Sequence, residues 1–233
     1  MLADLKKDLL SYSTKKRAES NAWFFKTGKG QYGEGDQFLG VTVPHARKVA
    51  KKYKELSLKD INTLLQSVWH EERLLSLFIL VHQFQKADEK TQRELYQFYL
   101  KNTKHINNWD LVDSSAHKIV GAYLLDKPPI RKILYTLAKS KDLWEKRIAI
   151  IATAMFINNN QFNDTLKIAE ILLHDKHDLI HKAVGWMLRE VGKKDQPTEE
   201  TFLKKHYKVM PRTMLRYAIE KFDEKKRKEY MKK

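Results

Sequence analysis

The sequence contains no cysteine and is poor in proline and glycine, with 5 prolines and 8 glycines among 233 residues. Without cysteine the chain has no disulfide framework, no thiol nucleophile and no cysteine-bound zinc. It also has no run of about 18 apolar residues, so we expect no transmembrane helix. The amphipathic N-terminus is both acidic and basic, so we expect no signal peptide. Together these features predict a cytoplasmic protein.

Acidic residues are few relative to basic ones. Lys and Arg number 45 against 29 Asp and Glu, which gives a formal net charge of +16. This excess favours a polyanionic partner, most simply nucleic acid, although a basic protein without such a partner has the same composition. Charge alone does not separate DNA from RNA or an anionic membrane. The lysine-rich segment 223–233 is predicted to be a basic C-terminal tail or a fraying helix end.

Strand-like alternation is scarce, whereas apolar residues recur at helical spacing nearly throughout the chain. Capping residues and prolines mark the predicted helix starts, which are Thr14, Pro44, Ser57 with Asp60, Asp88, Asp142 with Glu145, Asp164, Asp178, Pro197 and Pro211. Gly192 is predicted to end the helix that contains Trp186. These signals predict about twelve short helices joined by short turns.

Large side chains recur along the chain at a spacing typical of repeat proteins. The recurring positions are Trp69, Trp109, Trp144, Ile180 and Thr213. Their spacing of about 33 to 40 residues is typical of HEAT-like α-solenoids with two helices per repeat. We therefore predict an all-α fold, an α-α superhelix of about six helix pairs that forms one domain over 1–233 with a basic concave groove. The alternative is an irregular helical bundle with coincidental spacing.

Five of the eight glycines lie in one segment, residues 28–40, here called the glycine-rich segment. Their spacing matches neither a P-loop nor a dinucleotide-binding loop, and no strand precedes them. We therefore expect a flexible connector or lid rather than a phosphate cradle.

Polar and aromatic side chains occupy equivalent places in three successive repeats. Asp113 lies four residues after Trp109 on the apolar stripe of one helix. Arg147 interrupts the apolar face of the next repeat, and Trp186 lies in the repeat after that. If these helices line the concave face, the four side chains converge on one groove. The structural alternative is that the Asp and Arg link neighbouring repeats and that both tryptophans belong to the core.

Three segments that contain these residues resemble the signature segments of a known family. Residues 108–114, 143–147 and 182–190 look like those of the DNA alkylation repair family, the AlkD-like HEAT-like-repeat DNA glycosylases. The resemblance extends from about Trp23 to Phe222, and its most specific part is the Trp-Asp-x-Val-Asp pattern. It implies an all-helical solenoid that acts in base excision repair. Such proteins hold duplex DNA and excise N3- and N7-alkylated purines as monofunctional glycosylases, without a metal or a cofactor.

The resemblance also implies roles for individual residues. Asp113 matches the catalytic aspartate of the family. Trp109 and Trp186 match the tryptophans that flank the lesion nucleotide, and Arg147 matches the arginine near its phosphodiester. The four residues are therefore the predicted catalytic set.

Two further residues are candidate DNA contacts. Arg189 lies one turn beyond Trp186 and could contact phosphate, with a salt bridge as the alternative. Phe24 stands where some relatives carry a tyrosine that faces the cleft, so it retains the packing without the hydroxyl. His117 lies one turn from Asp113 and could pair with it.

Two other classes of function remain open. A non-catalytic HEAT-like scaffold that binds structured nucleic acid or an acidic protein would have the same charge and repeats. A metal-dependent hydrolase would need a ligand set, and we interpret His174, His177 and His181 at a helix junction as surface histidines rather than metal ligands. We predict a monomer that acts on duplex DNA carrying alkylated bases, without a membrane or a small-molecule cofactor.

Overall fold

The chain is helical in the computed structural model, which describes residues 1–232. The α-helices in this range are α1 (Leu2–Leu10), α2 (Lys15–Phe24), α3 (Val43–Lys52), α4 (Leu58–Leu65), α5 (His70–Lys86), α6 (Glu89–Lys101), α7 (Trp109–Ala116), α8 (Ala122–Leu124), α9 (Lys132–Ala138), α10 (Leu143–Ala152), α11 (Ala154–Asn158), α12 (Asn163–Ile171), α13 (Asp178–Lys194), α14 (Gln196–His206), α15 (Arg212–Ala218) and α16 (Glu224–Met231). Within residues 1–232 the only strand-like pairing is one isolated bridge, so the predicted all-α class is confirmed.

Short helical turns join several of these helices. A π-helical turn, His117–Gly121, follows α7 directly, and 3₁₀ turns occur at Thr103–His105, Pro128–Ile130 and Ile219–Lys221. Most of the predicted basic tail forms α16, and its last residue, Lys233, lies outside the described residues. No helix among residues 1–232 combines the length and apolarity that crossing a lipid bilayer demands.

Most of the predicted helix starts are confirmed. Ser57, Asp88 and Asp142 accept backbone N–H hydrogen bonds at the starts of α4, α6 and α10. Pro44 and Pro197 occupy the first turns of α3 and α14, where their missing N–H groups leave no helical bond unmade. The predicted number of about twelve helices is too low because some segments predicted as one helix contain more than one, as where the turn His117–Gly121 separates α7 from α8.

Two predicted capping residues are wrong. Asp164 lies inside the first turn of α12, where its carboxylate accepts hydrogen bonds from Arg131 at 2.8 Å and Tyr135 at 2.6 Å. Asp178 is the first residue of α13, and the cap is His177, whose ring nitrogen accepts a hydrogen bond from a backbone N–H. At Asp164 two side chains distant in sequence bind the carboxylate, and at Asp178 the preceding residue caps the helix instead.

Gly192 does not end the helix that contains Trp186. α13 continues to Lys194, and Gly192 lies within its last turns. A Cβ at Gly192 would overlap Oε2 of Glu199, on α14. Close packing of α14 against α13, rather than a helix end, explains this glycine.

The chain forms two compact units, one from Met1 to Ser115 and the other from Ala116 onward. In the first unit, α5 packs against α3, α4 and α6, and in the second, α13 packs against α10, α12, α14 and α15. Packing between sequence neighbours is expected of helical repeats, because each repeat buries its apolar face against the next. The single continuous domain and its basic groove stay predictions.

Candidate functional site

A buried carboxylate holds the end of the glycine-rich segment. Glu71, on α5, is 2% exposed. The backbone N–H groups of Leu39, Gly40 and Val41 donate to it at 2.8, 2.9 and 3.2 Å. The expectation of a flexible connector is therefore wrong for this part of the segment. Because these N–H groups already donate to Glu71, they are not available to bind a phosphate.

Asp36, in the same segment, is the centre of a buried polar network. Its carboxylate accepts hydrogen bonds from His70 Nδ1 at 3.1 Å, Arg73 Nη2 at 2.6 Å and Asn108 Nδ2 at 3.1 Å. The other ring nitrogen of His70, Nε2, lies 2.8 Å from Oδ2 of Asp110. These five side chains, here called the Asp36 network, connect the glycine-rich segment, α5 and the start of α7.

The Asp36 network holds two positive and two negative groups. Burial lowers the pKa of His70, but the charge of Asp110 and hydrogen bonds to both carboxylates outweigh it and raise the pKa to about 9. Burial also raises the pKa of the Asp36 carboxyl, but the hydrogen bond from His70 and the charge of Arg73 have the larger effect. The pKa of Asp36 therefore lies below its ordinary value. His70 is therefore an imidazolium at neutral pH and donates from both ring nitrogens.

Aromatic rings connect the Asp36 network to Trp109. Phe25 stacks on Trp109 with ring centroids 5.3 Å apart and an interplanar angle of 11°. Its ring centroid also lies 5.0 Å from that of Phe38 and 4.8 Å from that of His70. Phe24, 54% exposed, meets Trp109 edge to face at 6.1 Å. Trp109 is consequently half-buried, with its orientation fixed by neighbouring rings.

Asp113 lies on α7, one turn after Trp109, and is half-buried. The fully buried Tyr99 lies close enough to feel the charge of Asp113, and its hydroxyl lies 2.9 Å from Ser115 Oγ. Burial raises the pKa of the Tyr99 phenol, and the negative charge of Asp113 raises it further. The first unit therefore places the predicted carboxylate beside an indole that other rings hold in place.

Arg147 and Trp186 lie in the second unit on α10 and α13, two helices that pack together. Arg147 is buried, and its Nη1 donates to the backbone oxygen of Leu179 at 2.6 Å. Trp186 is half-buried, and its Nε1 donates to Glu190 at 3.1 Å. Arg147 thus contributes to holding the first turn of α13, the helix that carries Trp186.

Arg189 forms the salt bridge that the sequence left as an alternative. Its guanidinium pairs with Glu220, and its Nε lies 3.5 Å from Glu190. A contact with phosphate would have to compete with these carboxylates.

The histidines near the start of α13 have structural partners. His177 Nδ1 accepts a hydrogen bond from the Leu179 N–H at 3.1 Å, and His181 Nε2 lies 2.5 Å from the backbone oxygen of Asp175. Among residues 1–232 no group of three or more His, Asp or Glu side chains is arranged to hold a metal ion.

Few features of the sequence indicate the Asp36 network. Four consecutive polar residues, 70–73, precede an apolar run, a pattern typical of a solvated first helical turn. The structure buries all four, with exposures of 2, 2, 5 and 4%. Only Asn108 and Asp110, which lie in the signature segment 108–114, could have been found from the sequence.

Comparison with known proteins identifies the family. A family model described as DNA alkylation repair enzyme matches residues 5–222. A solved structure described as a predicted DNA alkylation repair enzyme from Enterococcus faecalis is similar in fold, with a TM-score of 0.68 and 15% sequence identity. The similarity covers 91% of this chain and 97% of that chain. No curated protein matches the chain. Because the family model spans nearly the whole sequence, the protein belongs to the DNA alkylation repair enzyme family.

Proposed function

We propose that this protein is a monofunctional DNA glycosylase that hydrolyses the N-glycosidic bond of N3- or N7-alkylated purines in duplex DNA. Its family assigns it a role in the repair of alkylation damage, and the proposal adds the reaction. The observation that supports it is that Asp113 and Trp109 lie one turn apart on α7. A half-buried carboxylate lies one turn from an indole that stacks on Phe25.

The chemistry of this reaction requires few groups. Alkylation at N3 or N7 makes the purine cationic, so it can leave as a neutral base without a general acid. Breaking the N-glycosidic bond leaves its electron pair with the base and positive charge on the deoxyribose. The Asp113 carboxylate stabilises this oxocarbenium ion and orients the attacking water. The water oxygen then bonds to the anomeric carbon, and its proton passes through the carboxylate to solvent.

One carboxylate is sufficient for this mechanism. Ordinary glycosidases need two carboxyl groups because a sugar leaving group must be protonated. An alkylated purine already carries the positive charge that protonation would supply. The proposed mechanism therefore needs no second carboxyl group to act as a general acid beside Asp113.

Trp109 contributes packing rather than charge. Phe25 covers one face of its ring and Phe24 contacts it edge to face, so ring packing fixes its orientation. An apolar surface of this kind can pack on sugar and backbone and exclude water. Electrostatic stabilisation by Asp113 is stronger where water is excluded.

Trp186, Arg147 and Arg189 are proposed DNA contacts in the second unit. The planar guanidinium of Arg147 matches the geometry of a phosphate, and a phosphate contact would add to or replace the bonds that hold it in the fold, such as the one to the Leu179 oxygen. Trp186 supplies a second indole surface for the nucleotide backbone. Arg189 would exchange its bond to Glu220 for phosphate.

The reaction is tested with duplex DNA that contains one N7-methylguanine. Abasic sites formed during incubation are cleaved by alkali and counted as shortened strands. We expect the wild-type protein, without added metal or cofactor, to release the base. A scaffold that only binds nucleic acid would retain the DNA but form no abasic sites, and that result would refute the proposed reaction.

Asp113→Asn tests the catalytic assignment because it retains the shape of the side chain and removes its charge. We expect the single-turnover rate to fall by about 10²- to 10³-fold, the usual effect of removing one preorganised electrostatic group. DNA affinity should be unchanged. The matched control is Asp126→Asn, at an exposed position after α8, which should excise like the wild type. Undiminished excision by Asp113→Asn would show that another group performs the reaction.

A further inference from the structure

We infer that His70 is a positioning residue, which fixes the start of α7 by bridging the carboxylates of Asp36 and Asp110. Trp109 and Asp113, the residues proposed to act on the substrate, lie on the same helix immediately before and three residues after Asp110. The inference deepens the proposed function and rests on it.

The imidazole ring of His70 is held on its edges and its faces. The two ring nitrogens lie 3.1 and 2.8 Å from Asp36 and Asp110. The ring stacks on Phe38 with a centroid distance of 4.7 Å and contacts Phe25 at 4.8 Å. Because Phe25 also stacks on Trp109, His70 is connected to the start of α7 by both a hydrogen bond and ring packing.

The charges around His70 explain why a histidine suits this position. Three charged groups face it: Asp36 from the glycine-rich segment, Asp110 from α7 and Arg73 from its own helix, α5. With His70 protonated, two cations balance two anions in a buried site. Loss of its proton would leave one carboxylate without compensation, which is costly in a buried environment. The pKa raised to about 9 follows from this balance.

The same bridge joins parts of the chain that are distant in sequence. Asp36 is also connected to α7 through the neutral side chain of Asn108, whose amide donates to Asp36 at 3.1 Å while its oxygen accepts the Trp109 N–H at 2.8 Å. Without His70, the first turn of α7 loses its charged connection to α5. A displacement of about 1 Å in a reacting group can lower a catalysed rate about 10²-fold.

The first test needs no substrate. Nitrogen-15 NMR of histidine-labelled wild-type protein, from about pH 6 to about pH 11, follows the protonation of His70. We expect both ring nitrogens to remain protonated until the pH approaches about 9. A His70 that titrates at or below about pH 7, like an ordinary histidine, would overturn the inference. This measurement involves no substitution, so it does not depend on the folding of a variant.

The second test reads the environment of Trp109 by fluorine NMR of protein labelled with 5-fluorotryptophan. The fluorine resonance that disappears in Trp109→Phe is assigned to Trp109. In the wild type we expect the Trp109 resonance to respond to pH near 9, and in His70→Gln we expect it to move and to lack this response. His82→Gln, on the same helix, is the matched control and should leave the resonance in place. A Trp109 resonance in His70→Gln that coincides with that of the wild type would overturn the inference.

The third test uses excision of N7-methylguanine. His70→Gln should lower the single-turnover rate about ten- to hundred-fold while the dissociation constant for DNA changes less than about threefold. Asp110→Asn should have a similar effect. The double variant should be no slower than the slower single variant, because both substitutions break one bridge. Losses that multiply in the double variant would show that His70 and Asp110 act independently.

Together the three tests distinguish failure of the proposed reaction from failure of the positioning role of His70. If the wild type excises no base while His70 and Trp109 titrate together near pH 9, the proposed reaction fails and the bridge remains. If the wild type excises the base and His70→Gln excises it equally fast, the proposed reaction remains and the positioning role of His70 is refuted.

Discussion

Glu71→Gln removes one negative charge from the site at which α5 holds the glycine-rich segment, with almost no change in side-chain shape. Glu71 accepts three backbone hydrogen bonds, from Leu39, Gly40 and Val41. In the wild type, Oε1 accepts two of these bonds and Oε2 accepts the third. A glutamine amide has one oxygen, so it can replace one carboxylate oxygen but not both.

The geometry determines the size of the effect. If the amide oxygen retains the bonds from Gly40 and Val41, the amide nitrogen points at the Leu39 N–H, and two donors then face each other. A buried donor without an acceptor costs about 1–3 kcal/mol, and the two remaining bonds weaken because they are no longer charge-assisted. We therefore expect a loss of about 2–4 kcal/mol in the free energy of unfolding. This is a substantial part of the usual total of about 5–15 kcal/mol.

Urea denaturation monitored by circular dichroism measures this loss as a lower midpoint at an unchanged slope. The matched control is Glu55→Gln, because the Glu55 side chain is 83% exposed and its substitution should change the stability by less than about 0.5 kcal/mol. If Glu71→Gln destabilises the protein no more than this control, the carboxylate does not hold the segment, and the proposed ordering of residues 39–41 is wrong.

Two further predictions concern the packing of α14 against α13. Burial raises the pKa of Glu199 to about 8 from 4.5, so the folded protein binds the proton more tightly than the unfolded chain, and stability should fall as the pH rises from about 4.5 to about 8. Urea titrations of Glu199→Gln at both ends of this range should show a smaller pH dependence than the wild type; an equal dependence would exclude Glu199 as its source. Gly192→Ala should lower the free energy of unfolding by about 1–3 kcal/mol, because its Cβ would overlap Glu199 Oε2. Thermal unfolding measures this loss, and an unchanged melting temperature would show that Glu199 moves aside at no cost.

Local signals in the sequence predicted the helices well. The capping residues Ser57, Asp88 and Asp142 act as predicted because a cap bonds backbone groups within three residues of itself. Asp164 failed as a cap because its carboxylate is bonded to Arg131 and Tyr135, which are distant in sequence. A capping rule contains no information about such partners.

The glycine-rich segment shows the same limit more clearly. Its composition predicts flexibility, and its own residues contain no apolar periodicity that would indicate burial. Its order comes from Glu71 and from the partners of Asp36 in the Asp36 network, which lie elsewhere in the first unit. Neither the glycine spacing nor the charge of Asp36 could indicate these partners in advance.

The sequence by itself determined that the protein is all-helical, that it is strongly basic and that it carries the Trp-Asp-x-Val-Asp pattern of its family. These properties follow from residue spacing and composition, which act over one or two helical turns. Only the tertiary structure decided that the pKa of His70 is raised to about 9, that the side chain of Asp36 is buried and that Phe25 stacks on Trp109. The protonation and orientation of a side chain depend on charges and surfaces brought to it by distant parts of the chain, and those become defined only when the chain has folded.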